Sequence, residues 1–387
     1  MSAPAPVTTP EILPTPAPAP AGPVKIELML PLSGANAGLG QALLQAAEMA
    51  LFETNAADIQ LVVRDTGEPG GAAAASQELV AAGVKLILGP IFAADVAQAA
   101  PAARAAQVPM ISFSTDRAVA GSGVYVMGIL PQLQVDRVVR FAASHGAKRI
   151  AALLPDSPFG RAVASQLPQS ALSSGGAVSV VEFYPPGTTD FSSYVQRLAD
   201  AKDSFDAVLI PEGGDAARQA VPLLAYFGVD RTRTRLLGTA LWNDPALLRE
   251  PAMAGGWFAA PAGEEWAAFA SRYRADYGGV PPRIASLAYD ATALAAALAR
   301  GPAAKTSAEA TASGGALVGT AEAATPTGGS PFGTETLTTP DGFAGIDGIF
   351  RFRTDGGVER GLAVYEIGNG SVTVIDPAPQ SFVPAGM

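Results

Sequence analysis

From residue 24 onward, short apolar runs alternate with longer segments in which apolar residues recur every three or four positions. "VKIELMLPL" has the unbroken apolar character of a strand buried on both faces. Residues 37–56 then place Leu39, Leu43, Ala46, Ala47 and Ala50 on one face, which predicts a helix. "IQLVVRDT", "VKLILGP" and "VPMISFS" are further strands, separated by helices over 71–82 and 93–106. Such a βαβαβαβ order predicts a parallel sheet with helices on both faces and right-handed crossovers. "GVYVMGILPQ" interrupts the pattern, and a second series follows. It runs helix 131–146, strand "RIAALLP", helix 158–172, strand "VSVVEFY", helix 190–200, strand "DAVLIP", helix 214–226 and strands "TRLLGT" and "GGWFAAP". Helices over 263–277 and 284–300 close it. The chain is thus two α/β units in series.

Three stretches fall outside this alternation. Residues 2–23, "SAPAPVTTPEILPTPAPAPAGP", repeat proline too often for a helix or strand and predict an extended tether. They show no charged stretch leading into an apolar one, as a secretory leader would. Residues 302–340 are small and polar without an apolar period, which predicts a surface loop, partly disordered. The end, "GIFRFRTDGGVERGLAVYEIGNGSVTVI", holds three alternating segments around Asp355-Gly356-Gly357 and Gly368-Asn369-Gly370, a small antiparallel meander.

Composition narrows the function. The 387 residues contain no cysteine and one histidine, so thiolate and histidine-cluster metal sites are excluded. A net charge of -10 without a basic stripe argues against a nucleic-acid partner. No apolar run is long enough to span a bilayer.

The turn after the first strand carries Gly34, Gly38 and Gly40. Their spacing matches neither the dinucleotide fingerprint nor the P-loop, and only Asp65 stands where a ribose-binding carboxylate would. The turn still sets backbone N–H groups at a helix N-terminus on the carboxyl edge of a parallel sheet, where open α/β sheets bind ligands. Ser33 and Asn36 belong to it. Other strand ends supply "GPIFAAD", "SFSTD", "PDSPFG", "PEGGD" and "TALWNDP", bringing Phe92, Ser112, Ser114, Thr115, Phe159, Glu212, Trp242 and Asn243. Singly, the serine, asparagine and aspartate positions read as helix caps. As a set drawn from both units, these loops form a binding site. Catalytic constellations are poor. His145 sits at a helix end before Gly146, and no G-x-S-x-G elbow is present.

The order of "IELMLPLSGANAGLGQALLQAAEMAL", "LILGP", "VPMISFST", "RIAALLPDSPFGRAVA", "FDAVLIPEGGDAARQAVPLLAYFGV", "LLGTALWNDPAL", "FASRYRADYGGVPPRIASLAYDATAL" and "GFAGIDGIFRFRTDGGVERGLAVYEI" resembles the type I periplasmic binding proteins. The likeness is greatest to the branched-chain amino-acid-binding branch and to lipoprotein relatives known as penicillin-binding protein activators, over residues 24–376. It implies an α/β Venus-flytrap of two lobes, each a doubly wound, mostly parallel sheet, with the small C-terminal β meander. Lobe 1 would be residues 24–130 plus about 264–340, and lobe 2 residues 131–263 plus about 341–376. The family carries no catalytic group, cofactor or metal. It closes on a small molecule between the lobes, in the manner of ABC-transporter substrate-binding proteins.

Partners implied are that ligand and an ABC permease or, alternatively, a penicillin-binding protein stimulated from an outer-membrane anchor. The location implied is periplasmic, with the tether joined to a membrane as a lipoprotein in a longer precursor. In such proteins, first-lobe hydroxyls hold a ligand carboxylate, here Ser112, Ser114 and Thr115. Phe159-Gly160 stands where a tyrosine-glycine pair is usual, and Ala240 where an acid holds the ligand ammonium, with Glu212 or Asp244 as substitutes. Phe92, Phe159 and Trp242 then point to a flatter or more apolar ligand.

Overall fold

The structure, a computed structural model, describes residues 22–301 and 330–382. Most of the proline-rich tether and residues 302–329 of the polar stretch lie outside the described residues.

The first unit runs β1 (Val24–Leu30), α1 (Ala37–Glu53), β2 (Ile59–Asp65), α2 (Gly71–Gln77), α3 (Leu79–Ala82), β3 (Val84–Leu88), α4 (Ala93–Ala105), β4 (Met110–Ser112) and β5 (Val124–Val126). All its sheet neighbours are parallel, in the order β2-β1-β3-β4-β5. The segment that broke the sequence pattern therefore contains a fifth strand. It is too short to show a period of its own. The helix expected over 71–82 is interrupted at Glu78, giving α2 and α3.

The second unit runs α5 (Pro131–Ser144), β6 (Arg149–Pro155), α6 (Pro158–Ser173), β7 (Ala177–Tyr184), α7 (Ser192–Asp200), β8 (Ala207–Leu209), α8 (Gly214–Tyr226), β9 (Arg235–Thr239), α9 (Pro245–Leu248) and β10 (Trp257–Ala260). Its strands take the order β7-β6-β8-β9-β10, the same winding as the first sheet. The remaining elements are α10 (Glu264–Tyr277), α11 (Ala285–Arg300), α12 (Thr334–Leu337), β11 (Phe343–Gly345), β12 (Gly348–Phe352), β13 (Val358–Arg360), β14 (Ala363–Ile367) and β15 (Val372–Asp376).

These late elements are shared between the two bodies. In α10, Phe269 and Tyr273 are buried, and α11 is buried without a break from Ala285 to Ala296. Both helices join the core of Ile26, Leu28, Leu30 and Leu43 under the first sheet. The C-terminal antiparallel pairing is present but divided between two sheets. β11, β12 and β13 form a three-stranded sheet whose Phe343, Phe350 and Phe352 enter that first core. β14 instead pairs antiparallel with β10, and β15 with β14, extending the second sheet to seven strands. Phe343 to Val358 pack in the first core and Ala363 to Ile367 in the second, so the chain passes from one core to the other between β13 and β14. The polar stretch also contributes more than a loop, since Phe332 and Leu337 are buried in the first core.

Candidate ligand cleft

Three short segments join the lobes. Residues 127–130 leave the carboxyl end of β5 and enter the N-terminus of α5. Residues 261–263 leave the carboxyl end of β10 and enter α10. The third runs from β13 into β14. The first two are only a few residues long and both start from carboxyl ends, so the carboxyl edges of the two sheets lie against one another. The loops that the sequence singled out follow the strands at these carboxyl edges.

Side chains pin each crossing on both sides. Arg360 Nη2 donates to Met127 O at 2.6 Å, tying the first crossing to the third. One turn on, Gln134 holds Ile129 O and Leu130 O, each at 3.4 Å, while its Oε1 accepts from Ala240 N at 2.8 Å. Tyr365 OH donates to Pro261 O at 3.1 Å, and Arg283 to Ala262 O at 3.5 Å. Arg137 Nε donates to Leu362 O at 2.8 Å. Under the hinge lies a buried ionic cluster. Asp347 accepts from Arg283 at 2.5 Å and from Ser286 Oγ at 2.6 Å, and Asp290 Oδ1 accepts from Ile346 N at 2.9 Å. Burial, then the neighbouring Asp347 charge, push the Asp290 carboxyl up to about 7, against Ile346 N and Arg360. No local pattern marks these residues in the sequence, because their partners lie up to 233 positions away.

The glycine turn is built for close packing. A Cβ at Gly40 would overlap the carbonyl of Pro31, and Gly34 has φ +70°, whereas Gly38 meets nothing. Gly160 stands against the Pro155 carbonyl in the same way, so both lobes bring the helix after their first strand hard onto the strand end. The amides of Leu32 and Ser33, expected free for a ligand, instead donate to Asp65 Oδ1 at 2.7 and 3.2 Å, and Gly67 N does so at 2.8 Å. Against the opposing effect of burial, these bonds hold Asp65 below its ordinary range. Asp65 is a fastener of the turn, not a ribose ligand.

The remaining candidates separate into two groups. Ser112 is fully buried. Its Oγ donates to Pro90 O at 3.0 Å and accepts from Ser114 N at 3.1 Å. Ser114 is also buried and accepts from Asp116 N at 3.1 Å. Thr239 repeats this latch in the second lobe, donating to Pro211 O at 2.6 Å. Trp242 has no exposed surface. Its indole fills the space over Gly238, and Nε1 donates to Glu212 O at 3.0 Å. These hydroxyls and this ring support the loops from beneath, and Trp242 is a core residue rather than a cleft wall. Ser33, Phe159 and Glu212 are half-buried at the edge, and Asn36, Phe92, Thr115 and Asn243 are exposed there. Leu241, which the sequence reading passed over, is 52 % exposed beside them. It sits in a strand-end loop between half-buried Ala240 and buried Trp242.

In sheets of this winding, the crevice opens between the first and third strands of the unit. Ser33 and Phe92 follow β1 and β3, and Phe159 and Glu212 follow β6 and β8, so these four stand at the two switch points. His145 lies at the other end of α5, its Nδ1 2.9 Å from Phe141 O, away from this edge.

A family model for periplasmic binding proteins matches residues 23–371. The chain belongs to the periplasmic binding protein family. Its members are substrate-binding proteins rather than enzymes, and work in the periplasm. Among solved structures, a Rhodospirillum rubrum protein assigned to a branched-chain amino acid ABC transporter superposes with a TM-score of 0.75 at 21 % identity, covering 91 % of this chain and all of that one, 100 %. A solute-binding protein from Rhodopseudomonas palustris, solved with 3,4-dihydroxybenzoic acid, gives 0.63 at 19 % over 94 % of this chain and 99 % of its own. A branched-chain amino acid transporter substrate-binding protein from Streptococcus pneumoniae, solved with isoleucine, gives 0.60 at 22 % over 92 % and 100 %. An uncharacterized Rickettsia prowazekii protein is 22 % identical over 218 residues, 56 % of this periplasmic binding protein and 56 % of the relative's length. Among the described residues, no helix is long and apolar enough to cross a membrane.

Proposed function

We propose that this periplasmic binding protein closes its two lobes on a small solute and delivers it to an ABC permease. The observation that supports the reading is the pair of carboxyl edges joined by three pinned crossings, and in this reading Phe92, Phe159 and Leu241 line the cleft with Glu212 and Thr115 among them. Ser33, Asn36 and Asn243 complete the rim of the proposed site. The apolar side chains favour a ligand with an apolar or aromatic body, in keeping with the aromatic acid held by the Rhodopseudomonas relative. Residues 1–23 act in this reading as a spacer between a membrane anchor and the lobes, which their proline content supports.

The test is a thermal-shift screen of amino acids, aromatic acids, amines and amides, followed by small-angle scattering with any hit. A true ligand at one hundred times its dissociation constant stabilises by about 2.7 kcal/mol and contracts the molecule as the lobes close. A flat screen and an unchanged radius of gyration would overturn the proposal.

A further inference from the structure

One buried cluster holds two of the three crossings. Arg360, on β13, donates through Nη2 to Met127 O of the first crossing at 2.6 Å. Arg283, just before α11, reaches Ala262 O of the second at 3.5 Å and Asp347 Oδ1 at 2.5 Å. Asp347 lies in the turn between β11 and β12 and also accepts from Ser286 Oγ at 2.6 Å. One turn further along α11, Asp290 meets the same loop, its Oδ1 accepting from Ile346 N at 2.9 Å. The charged groups that face the Asp290 carboxyl are therefore Asp347 from that turn and Arg360 from β13, with Arg283 behind them. On α11 itself, Tyr289 senses the Asp290 charge but donates its hydroxyl to Glu53 of α1.

The cluster is not closed. Asp290 Oδ2, Arg360 Nε and Arg360 Nη1 are all buried without a hydrogen-bond partner. Asp347 pairs with Arg283, and among the described residues no carboxylate lies within 4.0 Å of the Arg360 guanidinium. A Cβ at Gly345 would overlap the Asp290 carboxyl. Gly345 has no left-handed φ, so its missing side chain serves the space around that carboxyl. An ionised Asp290 next to Asp347, with Oδ2 bare, is the costly state of this arrangement. Burial first, and then the Asp347 charge, keep the carboxyl neutral up to about 7. Once the proton is lost, the available remedy is the unpartnered Nε–Nη1 edge of Arg360. A guanidinium is a rigid planar fork, so bringing that edge to Oδ2 carries Nη2 away from Met127 O. The bond given up is the one that ties the first crossing to the third.

We infer that Asp290 and Arg360 form a proton-operated latch on the hinge. With Asp290 protonated, Arg360 fastens the first crossing. With Asp290 ionised, Arg360 turns to the carboxylate and the lobes swing more freely. The interlobe equilibrium, and with it the hold on any solute, then follows the acidity of the surroundings.

The chain has no cysteine, so Gln98→Cys on α4 and Gln169→Cys on α6, both at exposed positions, place one spin label on each lobe. Double electron–electron resonance of the labelled full chain then reads the interlobe distance distribution with no solute present. The distribution should be narrow at about pH 5.5 and broad at about pH 8.5, with a midpoint near 7. Asp290→Asn keeps an acceptor for Ile346 N and has no proton to lose, so it should stay narrow throughout. Arg360→Met lacks the latch and should be broad throughout. Glu27→Gln removes the other carboxyl raised to about 7 and should respond as the labelled parent does. An unchanged parent distribution, a midpoint in the range of ordinary carboxylates, a response retained in Asp290→Asn or one lost in Glu27→Gln overturns the latch. The parent and Glu27→Gln titrations decide the matter even where a substitution in the cluster prevents folding. Because no solute is added, the solute-binding reading stands or falls separately, in its own screen.

Discussion

Replacing Glu27 with glutamine should stabilise the first lobe at alkaline pH and change it little in acid. Glu27 sits in the middle of β1 with no exposed surface, on the same face as Met29, and neither carboxylate oxygen has a hydrogen-bond partner. The nearest cation, Arg64 Nε, is 3.9 Å away, and Arg64 Nη2 is committed to Glu78 at 2.9 Å. Burial raises the Glu27 carboxyl from 4.5 to about 7, opposed by Arg64 and aided by Glu78. The folded lobe therefore keeps a proton that the unfolded chain gives up above 4.5. The penalty is absent below 4.5, grows across the window from 4.5 to about 7, and is complete above it. That window corresponds to a ceiling of roughly 3 kcal/mol. Asp290 adds a slope of its own in this range, so the quantity to measure is the difference between wild type and variant. Urea unfolding at about pH 5 and about pH 8 supplies it through the shift in midpoint at constant m-value. Arg64 keeps Glu78 in the variant and is not stranded. Parallel pH curves for the two proteins, or a less stable variant at the higher pH, would refute the reasoning.

Other substitutions test other links. Gly160→Ala places a methyl group on the Pro155 carbonyl and should cost about 1–3 kcal/mol in thermal unfolding. Trp242→Ala should cost about 3–5 kcal/mol as a core truncation. Phe92→Ala, at an exposed position, should leave stability within about 0.5 kcal/mol while weakening binding of any hit from the thermal-shift screen, measured by calorimetric titration. Arg360→Met removes the tie to Met127 O and one cation from the cluster around Asp347 and Asp290. It should cost about 3 kcal/mol in denaturant and broaden the interlobe distance distribution in scattering.

Much of the architecture was written in local periodicity. Strands buried on both faces and helices with a three-to-four-residue stripe announce themselves within a few residues, and the second lobe's series came through whole. The errors have physical causes. β5 has three residues, too few for a period. The middle segment of the C-terminal meander breaks at Gly361, where residues 360–365 are buried without a break, so one continuous buried run hides the change of sheet. Phe92 and Trp242 look alike in sequence, as aromatics in strand-end loops. Which one faces solvent is decided by Gly238, whose missing side chain admits the indole. Glu27 hid inside an apolar run that predicts burial correctly and says nothing of an unpartnered charge. The clamps Arg360–Met127, Arg137–Leu362, Gln134–Ala240 and Tyr365–Pro261 join residues more than a hundred positions apart, so pairwise geometry alone reveals them. Glu212 was a substitute on equal terms with Asp244 until their partners were known. Asp244 caps α9, whereas the Glu212 carboxylate accepts from the Tyr184 hydroxyl.

The division of the late elements between the lobes sets an order of assembly. β1 through β5 emerge first, yet the core they face also needs α11, Phe343, Phe350 and Phe352. The intervening 131–260 segment carries its own five parallel strands and their helices, and gains from the C-terminus only the outer β14 and β15. The lobe that is synthesised first is thus completed last, after its partner has had everything it needs to collapse. A growing chain holds an apolar sheet face open across most of its own translation. Truncation before Ala285 would not produce a shorter two-lobed protein. It would produce one nearly finished lobe attached to a sticky half, and that half, rather than the cleft, is where a chaperone would have to bind.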